Sequence, residues 1–266
     1  AVGVEVSVFN TMIGNSKVEK YNLVDVQTEI NRISKALNKF ITDSNAVVLE
    51  EKLLQELYAF NNKYFPVPEY KYKVKRKEID EKTYGAEKEA EFLPIYRELV
   101  NKYKIKLKQE KEDTFLDKWY TQHIREEIEF VHNEIKKIEN PKTKQIISVI
   151  LSRTIRSCRA TTHADLATLL EPITTTYYCS KHGKICKPLF SIMKWWNTYS
   201  KDTVIRLRQY DKLRKNTFHT CLTGDSRTID IVEQMKNVNP EFSELIKNQK
   251  IKGIFSSPPY VGLIDY

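Results

Sequence analysis

Between Val26 and Ile41 the apolar residues Val26, Ile30, Ile33, Leu37 and Ile41 recur every three or four positions, a period that fits a helix with one buried face. The rhythm returns from Ala46 to Phe65 with Val47, Leu49, Leu53, Leu54, Leu57 and Phe60, and again from Glu87 to Lys104. Thr114 to Ile138 carries a further stripe of Phe115, Trp119, Ile124, Ile128, Val131, Ile135 and Ile138. Seven glycines and nine prolines are few for 266 residues, so long uninterrupted helices are expected. Thr143 to Arg159 reads as another helix, its run of Ile146, Ile147, Val149, Ile150 and Leu151 fitting burial against several neighbours, and Phe190 to Lys215 as one more. Pro66 and Pro68 break the second helix and leave Tyr70 to Lys77 as an extended arm or a loop, while Pro141 closes the helix before it.

The two ends read differently. Val2, Val4, Val6 and Val8 alternate with Gly3, Glu5 and Ser7, the pattern of a short strand that ends near Glu5. Thr217 to Tyr266 reads as strand, turn, helix, strand: Cys221-Leu222, then Gly224-Asp225, then Thr228 to Met235, then Gly253-Ile254-Phe255 running into Ser256. Ala160 to Leu189 has no sustained period. A hydrophobic content of 41% supports one large domain or two modest ones. No run of about eighteen apolar residues and no signal-peptide pattern occurs, so no membrane partner is expected and a cytoplasmic location is the default. A net charge of +9 favours polyanionic partners without deciding for them.

The most specific signal is Ile254-Phe255-Ser256-Ser257-Pro258-Pro259-Tyr260, an apolar strand that delivers a polar residue, two prolines and an aromatic ring at its carboxyl end. Open α/β sheets take their ligands at that end. The prolines fix φ and carry no backbone donors, leaving rigid carbonyls to accept from a substrate amine. An aromatic amine is a poor nucleophile because its lone pair is delocalised into the ring. Accepting both of its hydrogens, through the Ser257 hydroxyl and the Pro258 carbonyl, draws the nitrogen toward tetrahedral geometry and frees the lone pair. Tyr260 would stack on a base flipped out of its duplex.

Ser257-Pro258-Pro259-Tyr260 resembles the catalytic tetrapeptide of the S-adenosylmethionine-dependent amino-methyltransferases of DNA, a family in which serine in first place points to cytosine and aspartate or asparagine more often to adenine. Thr223-Gly224-Asp225-Ser226-Arg227 resembles that family's strand-end acid for the adenine amino group of the cofactor, and Gly3-Val4-Glu5-Val6-Ser7 the acid that grips the ribose hydroxyls. The order ribose acid, adenine acid, tetrapeptide agrees with one fold.

The resemblance implies an α/β class: a partial Rossmann-like methyltransferase sheet at both ends and a large, mainly α-helical insertion, so that the chain is mostly α. The expected division is residues 1–25 as the start of the core with its second strand, 26–215 as the insertion and target-recognition region, and 216–266 as the rest of the core. A Gly-rich loop, normally about twenty residues before the ribose acid, has no counterpart here, and the chain ends six residues after Tyr260. It therefore reads as an internal fragment, inactive alone. Glu5 and Asp225 can hold one cofactor only if their strands lie close, with the absent first strand expected between or beside them.

The function so implied is methyl transfer from S-adenosylmethionine to the exocyclic amino group of cytosine in duplex DNA, by direct attack without a covalent base adduct. A cognate restriction endonuclease would be the partner of a restriction-modification pair. The alternatives are adenine as the base, RNA as the substrate, or a non-catalytic, zinc-stabilised nucleic-acid-binding module. Within the insertion, Arg153, Arg156 and Arg159 recur at three-residue spacing and would present guanidinium groups on one helical face to phosphates or guanine edges. An ordinary solvated face is the equal alternative. The segment 158–186 gathers five metal-ligand side chains and reads as a zinc knuckle with Cys158, Cys179, His182 and Cys186 as ligands, His163 being the alternative to one of them. Reduced, buried cysteines with polar histidines are the competing reading.

Overall fold

The computed structural model describes residues 1–42, 44–110, 113–163, 171–248 and 252–256. The chain divides into two compact units, Ala1–Glu19 with Arg214–Tyr266, and Lys20–Leu213. The first unit opens with β1 (Val2–Glu5) and α1 (Val8–Val18). The second holds α2 (Leu23–Thr42), α3 (Asn45–Tyr64), α4 (Glu69–Lys75), α5 (Glu81–Lys102), α6 (Phe115–Trp119), α7 (Gln122–Lys136), α8 (Pro141–Ser157), β2 (Tyr177–Cys179), β3 (Lys184–Cys186) and α9 (Met193–Leu213). The first unit then resumes with β4 (Thr220–Thr223), α10 (Ile231–Val238) and α11 (Pro240–Asn248). The described chain is mainly helical with two small sheets, β1–β4 parallel and β2–β3 antiparallel, an arrangement compatible with an α/β fold.

In the second unit the stripe on α2 buries Val26, Ile30, Ile33, Leu37 and Ile41. It packs with Ile128 and Val131 of α7, Ile147 and Ile150 of α8, and Trp196 and Val204 of α9 into one core. Trp196 is fully buried, and its indole N–H donates to Ser34 Oγ at 2.9 Å, so no donor is stranded there. The Arg32 guanidinium pairs with the Glu134 carboxylate and donates to the Glu134 carbonyl at 2.9 Å, joining α2 to α7. A second core gathers Leu49, Leu53 and Phe60 of α3, Tyr70 of α4, and Phe92 and Tyr96 of α5 around Ile185 of β3.

Several expectations are corrected. The helix expected over Thr114 to Ile138 breaks at Tyr120, whose backbone is extended (φ −130°, ψ 138°). The Tyr120 hydroxyl donates to the Ile155 carbonyl at 3.0 Å, and the Trp119 carbonyl accepts the Ala160 N–H at 2.8 Å. These tertiary bonds replace continued helix, and a capping box of Thr114 and Asp117 opens the short α6. Pro141 closes nothing. α7 ends at Lys136, and Pro141 sits in the first turn of α8 behind the N-cap Asn140, where its missing N–H is no loss.

Most of Tyr70 to Lys77 is α4, because Tyr70 is buried with its ring edge-on to Phe65 at 5.0 Å and the segment is anchored by that contact. α1 was hidden within an apparent strand pattern, since it buries Thr11 and Ser16 while Val8 and Phe9 stay exposed. Residues 252–256 form no strand, and Ile254 and Phe255 are exposed. An apolar run becomes a strand only when a neighbouring edge accepts its backbone bonds, and none of the described strands does so.

Candidate functional site

Parallel strands end on the same side of their sheet. β1 and β4 pair in register from Val2 with Thr220 to Glu5 with Thr223, and the Gly224 N–H donates to the Glu5 carbonyl at 3.0 Å. Glu5 and Asp225 therefore stand at neighbouring carboxyl ends of one sheet, the position where open α/β sheets take ligands. The strands pair directly, so any first strand lies beside them and not between.

The Glu5 carboxylate accepts the Ser7 N–H at 3.1 Å, just ahead of α1, whose first turn Ser7 caps by accepting the Asn10 N–H. Asp225 is engaged more heavily. Its carboxylate accepts the Arg227 backbone N–H at 2.9 Å, Arg227 Nε at 3.0 Å and Arg227 Nη2 at 2.5 Å. These bonds hold its carboxyl down to about 2. The sequence marks a turn at Gly224-Asp225, but not that the Arg227 side chain folds back onto the Asp225 carboxylate, because side-chain direction does not follow from spacing alone. Val6 and Val8 are exposed on either side of the Ser7 cap and offer apolar surface near Glu5. Ser257, Pro258, Pro259 and Tyr260 lie outside the described residues.

In the second unit His163, Cys179, His182 and Cys186 come together with their ligand atoms all within 4.8 Å of one another. Cys158 is not among them. It is the C-cap of α8 and is buried in the core of α2, α7, α8 and α9, where burial pushes its thiol pKa well up. The packing of α8 fixes its direction, so the group that comes together holds His163, the expected alternative, in the place of Cys158. Burial, with Cys179 close by, likewise pushes the Cys186 thiol up to about 12.

The three arginines do not share one helical face, since α8 ends at Ser157 and Arg159 lies beyond it. Arg153 turns toward α9, pairing with Asp202 at 2.6 Å, donating to Thr203 Oγ1 at 3.0 Å and lying over the Tyr199 ring at 4.4 Å. Arg159 Nε donates to the Arg156 carbonyl at 3.1 Å, and Arg156 is exposed. Among the described residues no helix is long and apolar enough to cross a membrane.

These strand ends and this cysteine-histidine hairpin belong to a chain that has a curated relative along its whole length. It is similar to Type II methyltransferase M.MjaII of Methanocaldococcus jannaschii. The two are 41% identical over 274 aligned residues, which take in all of this chain and 51% of M.MjaII. The chain thus spans about half the length of that relative, and the alignment with M.MjaII runs through both units. No family model matches the chain, and no solved structure matches it.

Proposed function

We propose that these residues form part of an S-adenosylmethionine-dependent DNA methyltransferase that methylates the exocyclic amino group of cytosine. The observation that carries this reading is the 41% identity, along the whole chain, to a type II methyltransferase. The strand ends fit the cofactor on chemical grounds. A ribose diol and an adenine amino group are donors, and Glu5 and Asp225 are carboxylate acceptors on adjacent strands. Glu5 takes the diol. Asp225 takes the adenine amine once Arg227 swings aside, an exposed pairing that costs little to open. The partial sheet of the first unit belongs, on this reading, to a Rossmann-like core.

When bound, the cofactor supplies an electrophilic methyl group on sulfur. The chain's part is to make the amine nucleophilic and to hold it in line. Ser257 Oγ and the Pro258 carbonyl accept the two amine hydrogens, Pro259 keeps that carbonyl rigid, and Tyr260 stacks on the flipped base. With both of its hydrogens accepted by Ser257 and Pro258, the amine nitrogen would have its lone pair free to take the methyl group that the cofactor would supply, and it would then release one proton to solvent. The helical second unit is the region that reads the target sequence. Exposed Arg156, together with Arg153 and Arg159 once they leave their internal partners, supplies its phosphate contacts.

The test uses the full-length protein containing this chain, S-adenosylmethionine carrying a labelled methyl group, and duplex DNA that is then digested to nucleosides. N4-methylcytosine is the expected product, and N6-methyladenine would move the assignment to the other base. Tyr260→Ala is expected to abolish transfer while changing DNA affinity less than about 5-fold, within the range of one weak contact. Equal loss of binding and transfer would overturn its assigned role.

A further inference from the structure

We propose that His163, Cys179, His182 and Cys186 bind one Zn²⁺ as a closed, structural site. The proposal rests on the second unit alone and is independent of the methyl-transfer reading. Tetrahedral zinc with Zn–S near 2.3 Å and Zn–N near 2.0 Å sets its ligand atoms about 3.3–3.8 Å apart. The four ligand atoms lie within 4.8 Å of one another, so closing on an ion needs a movement of about 1 Å. One edge is already formed, with His182 Nδ1 at 3.4 Å from Cys186 Sγ. Two thiols and two imidazoles are a donor set that suits zinc, and four protein ligands leave no open position for substrate or water.

The local chain is folded to hold this geometry. Cys179 ends β2 and Cys186 ends β3, and between them the N–H groups of His182 and Gly183 both donate to the Cys179 carbonyl, at 3.1 and 2.7 Å. That turn sends His182 back toward Cys186. It requires φ +63° at Gly183, a region that only glycine enters without strain. Flanking helices grip the hairpin from both sides. The Asn61 amide of α3 donates to the Ile185 carbonyl and accepts the Ile185 N–H, each at 3.0 Å. Glu89 of α5 accepts the Tyr178 N–H at 2.8 Å.

His163 enters from the far side, beyond the end of α8. Its Nδ1 is 2.7 Å from the Tyr177 hydroxyl, and its backbone N–H donates to the same oxygen at 3.1 Å. With Nδ1 on Tyr177, Nε2 is left for the metal. Tyr177 is then a positioning residue that fixes the tautomer and the ring direction of a ligand. The bound ion would pin the chain after α8 to the hairpin, a link that no backbone ladder supplies among the described residues.

The experiment takes the 266-residue chain, expressed with zinc in the medium and purified without chelator. Elemental analysis is expected to find about one zinc per chain. Reconstitution with Co²⁺ should give the d–d bands of a tetrahedral site together with thiolate charge transfer. Cys186→Ser is expected to lose the metal. Tyr177→Phe keeps every ligand, so it separates metal affinity from folding; chelator competition should show zinc held about 10- to 100-fold more weakly. Cys158→Ser should retain its zinc. Absence of zinc together with absence of cobalt bands would overturn the proposal. So would a Cys179–Cys186 disulfide, seen as a mass lower by two hydrogens. Zinc lost in Cys158→Ser but kept in His163→Ala would overturn the ligand set.

Discussion

The side-chain amide of Asn15 and the backbone of Cys221, 206 positions apart, close a ring of two hydrogen bonds: Nδ2 donates to the Cys221 carbonyl at 2.9 Å, and the Cys221 N–H donates to Oδ1 at 2.7 Å. The residues around Cys221 bond to β1 on the other side, as the Thr220 N–H does to the Ala1 carbonyl at 3.1 Å. Asn15 thus stands where another strand would pair, which makes β4 an edge and leaves the outer side of β1 for any further strand.

Asn15→Ala removes both bonds and leaves a partly enclosed donor and acceptor unpaired, so the first unit should lose about 2–3 kcal/mol. Asn15→Asp keeps the acceptor and loses the donor, and should fall in between. Equilibrium denaturation followed by a probe on β4 measures both. A loss in Asn15→Ala below about 0.5 kcal/mol, the scatter of ordinary surface changes, would show that the ring does not hold the edge.

Gly85 lies under the Tyr178 ring, and a Cβ there would come within 2.5 Å of it. The Tyr178 hydroxyl is also tied to Glu81 and Tyr70, each at 2.9 Å, so the ring cannot step aside freely. Gly85→Ala should destabilise by about 1–3 kcal/mol through overpacking. Gly253→Ala, with nothing within 4 Å, should leave the melting temperature unchanged. Equal melting temperatures for the two variants would mean that α5 and β2 can separate at no cost.

His123 and Glu127 lie one turn apart on α7 and both favour their neutral forms. Desolvation brings the His123 imidazole down to about 4; its ring stacks on Phe190, and its buried Nδ1 has no partner among the described residues. Burial pushes the Glu127 carboxyl up to about 7, although the Ile192 N–H and the Ser191 hydroxyl donate to it at 2.8 and 2.9 Å. The His123 contribution to stability is present above 6.5 and is lost as pH falls toward 4. That of Glu127 is present below 4.5 and is lost as pH rises to 7. The two slopes oppose each other between pH 4.5 and 6.5 and largely cancel. Glu127→Gln should therefore lose stability on acidification and His123→Phe should gain it, each by at most about 1.4 kcal/mol per pH unit. Denaturation midpoints across that range decide the matter, and parallel profiles for the two variants would refute it.

Arg227 competes with the cofactor for Asp225 on the proposed reading. Arg227→Ala in the full-length protein should bind S-adenosylmethionine as well as before or up to about 5-fold more tightly, the worth of an exposed ion pair. Asp225→Ala should bind it about 10-fold more weakly. Calorimetry distinguishes the cases, and weaker binding in Arg227→Ala would make the guanidinium a contact to the cofactor.

What the sequence made legible was whatever a single period decides. The five apolar positions of α2 are the five that it buries, because a 3.6-residue repeat with one apolar face has one packing solution. The break at Tyr120 was not legible, since it depends on bonds to Ile155 and Ala160, more than thirty residues downstream. The same limit applies to the cysteines. The spacing of Cys179, His182 and Cys186 is that of a hairpin turn, whereas the direction of Cys158 follows from the packing of α8 and cannot be read from its distance along the chain. The spacing of Arg153 reads as a contact to phosphates or guanine edges, or equally as solvated charge, and does not reveal that Asp202 and Tyr199 of another helix hold it.

The parallel pairing of β1 with β4 also sets an order of events during synthesis. β1 leaves the ribosome ahead of β4, which follows only after the whole second unit has been made. The helices of that unit find their neighbours within one compact segment and can settle while β1 still waits with an unpaired edge. Pairing of β1 with β4 is then a late and slow step, and β1 is secured along this edge only after the second unit between them has been made.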